Sequence, residues 1–392
     1  MNTEYDLAVI GAGIHGAGIA QAAAAGGYRV MVLEQQAVAA GTSSRSSKLI
    51  HGGLRYLEQF DVRLVRECLR ERELLLRIAP RLVKLTPFYI PVYRQTRRSS
   101  WEVCAGLSLY ALLGGLHAHA RFHRVMRSQW DGLDGLSQDG LQAVYQYWDA
   151  QTDDAALTRA VMRSAEILGA RLFMPARFEE ARLDEHGCEI HFHDNGVSSS
   201  ARARVLVNAA GPWVNQVAAR IHPQPARPDI ELIQGSHVIL DAAVVDSIYY
   251  VEAPQDGRAV FIMPWHNGTT LVGTTETPFT GSDPAQASPL ASEQQYLLAV
   301  VQRYFPRATV KISSSFAGIR VLPAGKSGIF RRSREILYAT EREFQPRMLA
   351  VYGGKLTSYR ADAERALNRI KQSLPSRRRL ADTRSLVLEP QN

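Results

Sequence analysis

The stretch YDLAVIGAGIHGAGIAQAAAAGGYRVMVLEQQ, residues 5–36, decides the fold. An apolar run that ends at Ile10 predicts a buried strand, and the alanine-rich segment after it predicts a helix. Gly26-Gly27 breaks this helix, and a second apolar strand ends at Glu34. A strand, a helix and a strand in this order predict a βαβ unit, the building block of a parallel sheet.

Three glycines stand where the first strand meets the helix. Gly11, Gly13 and Gly16 form the pattern G-x-G-x-x-G, which permits a tight turn and the close approach of a pyrophosphate. Glu34 can accept hydrogen bonds from both ribose hydroxyls, whereas its charge would repel the 2′-phosphate of NADP. The unit therefore predicts FAD or NAD. His15, inside the turn, is expected at the start of the helix rather than in catalysis.

The loop GTSSRSSKLIHGGLRYL, residues 41–57, distinguishes these two cofactors. An NAD domain normally continues from its second strand into another βα unit, but here the strand runs into a loop rich in serine and glycine. Hydroxyls and backbone N–H groups in such a loop suit a pyrophosphate and a flavin ring. The loop thus favours FAD.

Composition limits the remaining function classes. The chain has 392 residues, 46% of them apolar, which is enough for two or three domains. The net charge of +8 comes almost entirely from arginine, which suits phosphate and carboxylate, although a solvated arginine-rich surface is the alternative. No basic-aromatic pattern accompanies the charge, so nucleic acid is not expected. Three dispersed cysteines predict no disulfide framework and no metal site, and indicate a reducing cytosol.

A membrane-spanning segment is not expected. Residues 1–6 lack the features of a signal peptide, and the longest apolar stretch, 105–116, is too short to cross a bilayer. Residues 94–127 are basic at both ends and apolar in the middle. They are interpreted either as a surface that lies on an anionic bilayer or as a helix pair that covers the core. We expect a cytoplasmic protein, soluble or peripheral on the inner face of the cell membrane.

Later segments complete the predicted architecture. Residues 201–213 and 347–370 each contain a β-branched strand followed by glycine, which predicts two further strands of the parallel sheet. Alternating segments between 230 and 279 predict an antiparallel sheet that covers the flavin face. Residues 60–82 have apolar residues at helical spacing, which predicts an amphipathic helix.

The chain resembles the FAD-dependent glycerol-3-phosphate dehydrogenases, a branch of the D-amino-acid-oxidase-like flavoproteins. The strings that carry the resemblance are DLAVIGAGIHGAGIA, TSSRSSKLIHGGLRYLEQFD, TDDAAL, NAAGPWV, QGSHVIL, VGTTET, SFAGIRVL and VYGGKLTSYR. Three of them depart from the family pattern, at Ala156, Glu276 and Val321. The family also has a helical C-terminal domain after the GGKLT helix, whereas this sequence ends soon after that helix, so a short form is expected.

The resemblance implies a substrate site. Its expected substrate contacts are Arg55, Tyr56, Thr274, Arg320 and Lys355. The cations Arg55, Arg320 and Lys355 suit a small anionic substrate that carries a phosphate or carboxylate.

The expected catalytic residues are His237, Arg320 and Lys355. We favour His237 as the base because an imidazole accepts a proton near neutral pH, with His51 or Arg320 as alternatives. Lys355 is expected to polarise the substrate oxygen and the flavin.

The residues expected to bind the cofactor come from the glycine turn, the end of the second strand, the loop and the later strands. They are Gly11, Gly13, Ile14, His15, Gly16, Glu34, Gln35, Thr42, Ser43, Ser44, Lys48, Leu49, His51, Gly52, Gly53, Phe178, Ala210, Gly211, Trp213, Gly353, Gly354, Lys355, Leu356 and Thr357.

We therefore expect an α/β protein with a discontinuous Rossmann-type FAD-binding domain, built on a parallel sheet, and an inserted substrate domain with an antiparallel sheet. The FAD-binding domain is predicted at 1–80, 147–222 and 325–375, the substrate domain at 81–146 and 223–324, and a C-terminal tail at 376–392.

The expected reaction is the oxidation of sn-glycerol 3-phosphate to dihydroxyacetone phosphate, with electrons passed to a quinone-type acceptor. The alternatives are the same flavin chemistry on another small anionic alcohol or amine, such as a 2-hydroxy acid, an amino acid, or a different phosphorylated or phosphonate compound, with oxygen as an alternative acceptor. An FAD-binding module without turnover is a third reading. The oligomeric state is not predicted.

Overall fold

The computed structural model describes residues 4–116, 118–324 and 336–390, and every structural statement below concerns these ranges. The predicted boundary at 325 and the last two residues of the predicted tail lie outside them.

The described chain forms two large sheets. Their strands, in chain order, are β1 (Glu4–Ile10), β2 (Val30–Leu33), β3 (Leu49–Ile50), β4 (Val83–Tyr93), β5 (His123–Arg124), β6 (Leu141–Thr152), β7 (Arg171–Phe173), β8 (Ala176–Asp184), β9 (Gly187–Asp194), β10 (Val197–Asn208), β11 (Ile221–His222), β12 (Ile230–Leu240), β13 (Ile248–Glu252), β14 (Ala259–Trp265), β15 (Thr269–Gly273), β16 (Thr277–Pro278), β17 (Ile312–Pro323), β18 (Leu337–Thr340) and β19 (Met348–Tyr352).

Helices cover both sheets. In chain order they are α1 (Ile14–Ala25), α2 (Val62–Ile78), α3 (Ser100–Leu113), α4 (Asp154–Ile167), α5 (Val214–Ala218), α6 (Ala291–Tyr304) and α7 (Tyr359–Ile370).

The first sheet, sheet A, is built on the parallel strands β19, β10, β1, β2 and β7. Leu7 and Val9 of β1 are fully buried because helices α1, α4 and α7 cover this face of the sheet. The sequence predicted a parallel sheet with β10 and β19 as later strands, and the pairing of Val207 with Leu349 confirms their place. Sheet A also contains the antiparallel strands β8 and β9, which the sequence analysis did not single out.

The second sheet, sheet B, is antiparallel apart from the pair β4 and β13. Its strand order is β16-β12-β15-β14-β13-β4-β6-β3, with β17 beside β12 and β5 beside β6. Helix α6 packs on one face, and α2 and α3 pack on the other. The antiparallel sheet predicted between residues 230 and 279 is therefore present.

Two strands do not follow the predicted domain boundaries. Strand β3 falls within 1–80 but pairs with β6 in sheet B, and β6 itself spans the boundary at 147. The reason is continuity of hydrogen bonding, since β6 pairs with β4 along eleven positions from Leu141 to Thr152 and leads directly into α4.

Residues 60–82 and 94–127 were predicted to contain surface helices. Helix α2 confirms the first prediction: its buried side includes Leu64, Cys68 and Leu75. In the second region the described residues form one longer helix, α3, rather than a helix pair. In the described part of the chain, no helix combines the length and the apolar character needed to cross a membrane.

The predicted tail is docked on the body of the protein. Arg377 donates to the buried carboxylate of Asp6 in β1 at 2.9 Å, and the backbone N–H of Leu380 donates to the carbonyl of Ala25 at 2.7 Å. Leu388 is buried next to the end of α2, where its N–H bonds the carbonyl of Ile78. The tail thereby joins the first strand to the helices around it.

Candidate functional site

The turn between β1 and α1 is built for close approach. Gly11 has a φ of +95°, and a Cβ there would lie 2.8 Å from the carbonyl oxygen of Ala209. A Cβ on Gly16 would lie only 1.9 Å from the oxygen of Gly11. Glycine at both positions lets the turn lie against the end of β10 and leaves the N–H groups at the start of α1 accessible to an anion.

Glu34 follows the end of β2 and borders this turn. Its Oε2 accepts the N–H of Ala12 at 2.9 Å, and its Oε1 accepts the N–H of Gln36 at 2.9 Å. The two bonds fix the carboxylate on the wall of a cavity that the glycine turn also lines, where the sequence predicted the ribose partner.

The serine-rich loop links both sheets. Ser43 Oγ accepts the N–H of Ile14 at 2.8 Å, at the start of α1. Thr42 Oγ1 donates to the carbonyl of Ile319 in β17 at 2.7 Å. The loop is therefore held by sheet A on one side and by sheet B on the other.

Lys48 does not line the cavity that this loop borders. Its ammonium is buried and pairs with Asp154, while Asp154 also accepts the N–H of Ser46 at 2.9 Å. Asp154 opens α4, next to the cap that Asp153 provides through the N–H of Ala156. Burial raises the pKa of Asp154, although Lys48 opposes this shift. Lys48 thus holds the loop in place, and its contact with the cofactor stays a prediction.

The diglycine turn after β19 closes the site from the other side. Gly354 has a φ of +98°, and a Cβ there would lie 2.2 Å from His15 Nε2. Further along, Thr357 Oγ1 accepts the N–H of His51 at 3.1 Å. Helix α7 begins at Tyr359, after a short turn, rather than directly at the glycines.

These elements enclose a cavity of about 480 Å³ between the carboxyl ends of the sheet A strands and β17. Its volume lies in the range of cofactor and ligand sites. Nineteen of the residues predicted to bind the cofactor line it: Gly11, Gly13, Ile14, His15, Glu34, Gln35, Thr42, Ser43, Leu49, His51, Phe178, Ala210, Gly211, Trp213, Gly353, Gly354, Lys355, Leu356 and Thr357. The predicted residues that are not on this wall are Gly16, Ser44, Lys48, Gly52 and Gly53, which support it from behind.

Cationic side chains converge at one end of the cavity. Arg320 and Lys355 line the wall together with Tyr56. The Lys355 Nζ is buried without a hydrogen-bond partner among the described residues and lies 4.3 Å from the centre of the Tyr56 ring. The guanidinium of Arg55 lies 5.2 Å from the centre of the same ring. A buried ammonium without a partner is costly, so this lysine is suited to an added acceptor.

A carboxylate stands among these cations. Glu276 Oε1 accepts from Arg320 Nη1 at 2.9 Å and lies 3.7 Å from Arg55 Nη1. Arg320 Nη2 also donates to Thr274 Oγ1 at 3.2 Å. Thr274 and Arg55 do not line the cavity themselves. Thr274 bonds the cavity-lining Arg320, and Arg55 is linked to Arg320 through the carboxylate of Glu276.

His237 lies behind the wall. Its Nε2 is 3.1 Å from Ser47 Oγ, and its ring stacks on Phe316 with a centroid distance of 4.9 Å. Burial lowers its pKa well below the ordinary value, and the charges of Arg320 and Lys48 add to the effect. The imidazole is thus neutral at pH 7 but is a weak proton acceptor. His51, by contrast, lines the cavity.

Several residues of the wall were missed by the sequence analysis as site residues. They include Asp154, Glu276 near the wall, and the cavity-lining residues Ser47, Arg177 and Arg220. Asp154 and Glu276 occur in the strings TDDAAL and VGTTET, so their position was visible but their partners were not. Arg177 and Arg220 carry no local signal.

The residues present fit a flavin dinucleotide. The glycine turns leave room that a Cβ would fill, and the start of α1 offers N–H groups. In the part of the chain that the structure describes, the ammonium of Lys355 lacks an acceptor. Glu34 occupies the place of a ribose partner.

Comparisons with known proteins agree with this geometry. A family model described as FAD dependent oxidoreductase matches residues 6–360. The chain is 40% identical over 374 residues to a glycerol-3-phosphate dehydrogenase of Pseudomonas aeruginosa, covering 94% of this chain and 72% of the relative. It is 35% identical over 378 residues to the D-erythritol 1-phosphate dehydrogenase of Brucella abortus, covering 94% and 74%.

Among solved structures, the chain is similar to a glycerol-3-phosphate dehydrogenase of Bacillus halodurans in complex with FAD. The TM-score is 0.76 at 25% identity, over 98% of this chain and 68% of that one. The resemblance stated from the sequence, the fold class and the cofactor are thereby confirmed. The chain belongs to the FAD dependent oxidoreductase family.

Proposed function

We propose that the protein oxidises sn-glycerol 3-phosphate to dihydroxyacetone phosphate and passes the electrons to a quinone-type acceptor. The observation that carries this proposal is that Arg320 and Lys355 line the same cavity as the glycine turn, and that the Lys355 ammonium has no hydrogen-bond partner within the described ranges. The curated relative from Pseudomonas aeruginosa is named for this substrate, which supports the choice.

FAD, when bound, supplies the acceptor for the hydride that leaves the secondary carbon of the substrate. The glycine turn, Ser43 and Glu34 would hold its dinucleotide part, since they lie along the cavity from the start of α1 to the end of β2. Lys355 would donate to the carbonyl edge of the flavin or to the substrate oxygen.

The remaining steps fall to this chain's own side chains. Arg320, with Arg55 behind it, would bind the phosphate dianion through charge-assisted hydrogen bonds. His51, which lines the cavity, would accept the hydroxyl proton as the carbon loses its hydride, so that the alcohol becomes a ketone. The depressed pKa and the position of His237 favour His51 for this role, and Ser47 connects His237 to the wall.

The test is anaerobic mixing of the purified, FAD-containing protein with glycerol 3-phosphate. Bleaching of the visible flavin absorbance is expected, together with dihydroxyacetone phosphate in the product. A flavin that stays oxidised with this compound would exclude it as the substrate.

A longer polyol phosphate is the second candidate. The relative from Brucella abortus is named for D-erythritol 1-phosphate and matches 94% of this chain. Tetritol phosphates, 2-hydroxy acids and amino acids therefore belong in the same reduction assay. The compound with the highest rate of flavin reduction per unit concentration identifies the substrate class.

We further propose that α3 rests on the inner face of the cell membrane, where a quinone is reached. Trp101, Leu109 and Leu112 form an exposed apolar stripe along this helix, with Trp101 72% exposed. Exposed arginines flank the helix in sequence on both sides: Arg94, Arg97, Arg121, Arg124 and Arg127. An apolar stripe with cationic flanks suits an anionic bilayer.

Co-sedimentation with liposomes tests this contact. The wild type should pellet with anionic vesicles at moderate salt, and the triple variant Trp101→Ser, Leu109→Ser, Leu112→Ser should stay in the supernatant. Equal recovery of both proteins in the supernatant would exclude membrane contact through α3.

A further inference from the structure

Tyr110 contacts the loop that carries His51 and Arg55. The buried N–H of Gly52 donates to the Tyr110 hydroxyl at 2.8 Å. Gly52 is not on the cavity wall, but His51 and Tyr56 on either side of it are. A residue of α3 thus fixes the loop from behind, on the opposite side of the helix from its exposed stripe.

A buried ion pair stands behind this tyrosine. Tyr110 donates its proton to Asp149 Oδ2 at 2.7 Å, and Asp149 Oδ1 accepts from Arg72 Nη1 at 2.7 Å. Arg72 also donates to the carbonyl of Trp148 at 2.9 Å. The side chains of Tyr110, Asp149 and Arg72 are all buried, and Arg72 has no exposed surface.

Such a network is a poor source of stability. Removing two charges from water costs about as much as their attraction returns, and apolar residues of the same volume often serve as well. Its effect on geometry is stronger, because each member has one satisfied arrangement in a medium of low dielectric constant. The network therefore constrains what it contacts, which is the N–H of Gly52.

The same loop is held a second time from the cofactor side. Thr357, just after the diglycine turn, accepts the N–H of His51 at 3.1 Å. Two consecutive N–H groups are thus bound by different elements. Gly52 also has no spare room, since a Cβ there would lie 2.5 Å from the Tyr110 hydroxyl and 2.6 Å from Leu69 Cδ2.

We propose that Tyr110, supported by Asp149 and Arg72, is a positioning residue for the reaction: it sets the placement of the His51 imidazole and the Arg55 guanidinium. The inference rests on the proposed function, because both groups act only if an anionic alcohol is oxidised in this cavity. Loss of the hydroxyl frees the Gly52 N–H and lets the loop shift. A displacement on the order of 1 Å at reacting groups costs up to about 100-fold in rate.

The test compares Tyr110→Phe with a matched variant, Tyr147→Phe, in the FAD-containing protein. Tyr147 is also buried, and its ring meets that of Tyr110 edge to face at 6.0 Å. Its ring also packs on Phe88 of β4 with a centroid distance of 5.3 Å, whereas the N–H of Gly52 is bound by Tyr110. Both variants lose one hydroxyl from the same core, so a general loss of packing would affect both alike.

Tyr110→Phe should keep its FAD and lower kcat by about 10- to 100-fold, with a smaller change in KM, whereas Tyr147→Phe should stay close to the wild type. A Tyr110→Phe enzyme with wild-type kcat, or an equal loss in Tyr147→Phe, would overturn the proposal. If Tyr110→Phe loses its cofactor, Asp149→Asn takes its place and should show a smaller loss in kcat. An unchanged kcat in that variant also overturns it.

A readout without turnover separates this inference from the proposed function. Inorganic phosphate should perturb the flavin absorbance of the wild type when it binds beside Arg55 and Arg320, and Tyr110→Phe should need several-fold more phosphate. If no alcohol reduces the flavin of the wild type, the proposed function fails. The phosphate titration still tests whether Tyr110 positions the anion-binding groups. An identical titration midpoint in both proteins counts against the role of Tyr110.

Discussion

The buried carboxylate of Glu276 forms an ion pair at 2.9 Å with the partly exposed Arg320 at the cationic end of the cavity, and Arg55 lies 3.7 Å from the same carboxylate oxygen. The carboxylate holds the two guanidinium groups together, but it also cancels one of the positive charges that an anionic substrate would meet.

Replacing this carboxylate should therefore strengthen anion binding. We expect Glu276→Gln, which keeps an acceptor oxygen for Arg320, to lower the inhibition constant of inorganic phosphate by about three- to tenfold, equivalent to roughly 1 kcal/mol. Steady-state inhibition measures this constant. Glu166→Gln is the control: it removes one negative charge near the end of α4, about 18 Å along the helix from Asp154. It should leave the inhibition constant of phosphate unchanged. Weaker phosphate binding by Glu276→Gln would mean that the carboxylate mainly orients Arg320.

Lys355 should show opposite effects on activity and stability. Its ammonium is buried without a hydrogen-bond partner in residues 4–116, 118–324 and 336–390, a situation that costs about 1–3 kcal/mol. Lys355→Met should keep or raise the melting temperature while lowering the rate of flavin reduction by about 100-fold or more. Lys84→Met, at an exposed position, is the control for loss of one charge. A marked drop in melting temperature for Lys355→Met would indicate a structural role instead.

Gly354 should not tolerate a side chain. Its φ of +98° disfavours alanine, and the added Cβ would lie 2.2 Å from His15 Nε2. We expect Gly354→Ala to lose FAD affinity and thermal stability. Gly169→Ala isolates the steric part, because Gly169 has a φ of +97° but open space around it. Ultrafiltration of bound FAD should separate the two variants, and equal retention would contradict a close approach at Gly354.

The lowered pKa of His237 predicts that the folded protein loses stability as the pH falls. Burial, Arg320 and Lys48 lower its pKa in the folded protein, so below pH 6.5 the unfolded chain binds a proton that the folded chain does not. Its contribution to the free energy of unfolding falls as the pH decreases from 6.5, by at most about 1.4 kcal/mol per pH unit. His237→Gln should flatten this decline in urea titrations at pH 7 and pH 5. Parallel declines in both proteins would show that His237 titrates normally.

The sequence analysis was strongest where the relevant residues are close in the chain. Gly11, Gly16 and Glu34 belong to one βαβ unit, whose spacing determines their relative placement, so the nucleotide end of the cavity could be predicted. The membership of β10 and β19 in the parallel sheet was likewise predictable, because strands of such sheets appear as continuous apolar runs.

The predictions were weaker where partners are distant in the chain. Lys48 was predicted to bind the cofactor because of its neighbours in the loop, and its pair with Asp154 at the start of α4 was not predicted. Likewise, Glu276 meets Arg320 because β16, which follows Glu276, and β17, which carries Arg320, both pair with β12. Charge pairing of this kind depends on tertiary structure, which local patterns do not encode.

The bond from Thr42 to the carbonyl of Ile319 has a consequence for how substrates are selected. Because it fastens the cofactor loop to the strand that carries Arg320, the two walls of the cavity cannot separate without breaking it. We therefore expect the enzyme to choose among substrates by the fit of a preformed space rather than by closing around them, so that alcohols too long for the resting cavity are excluded at entry.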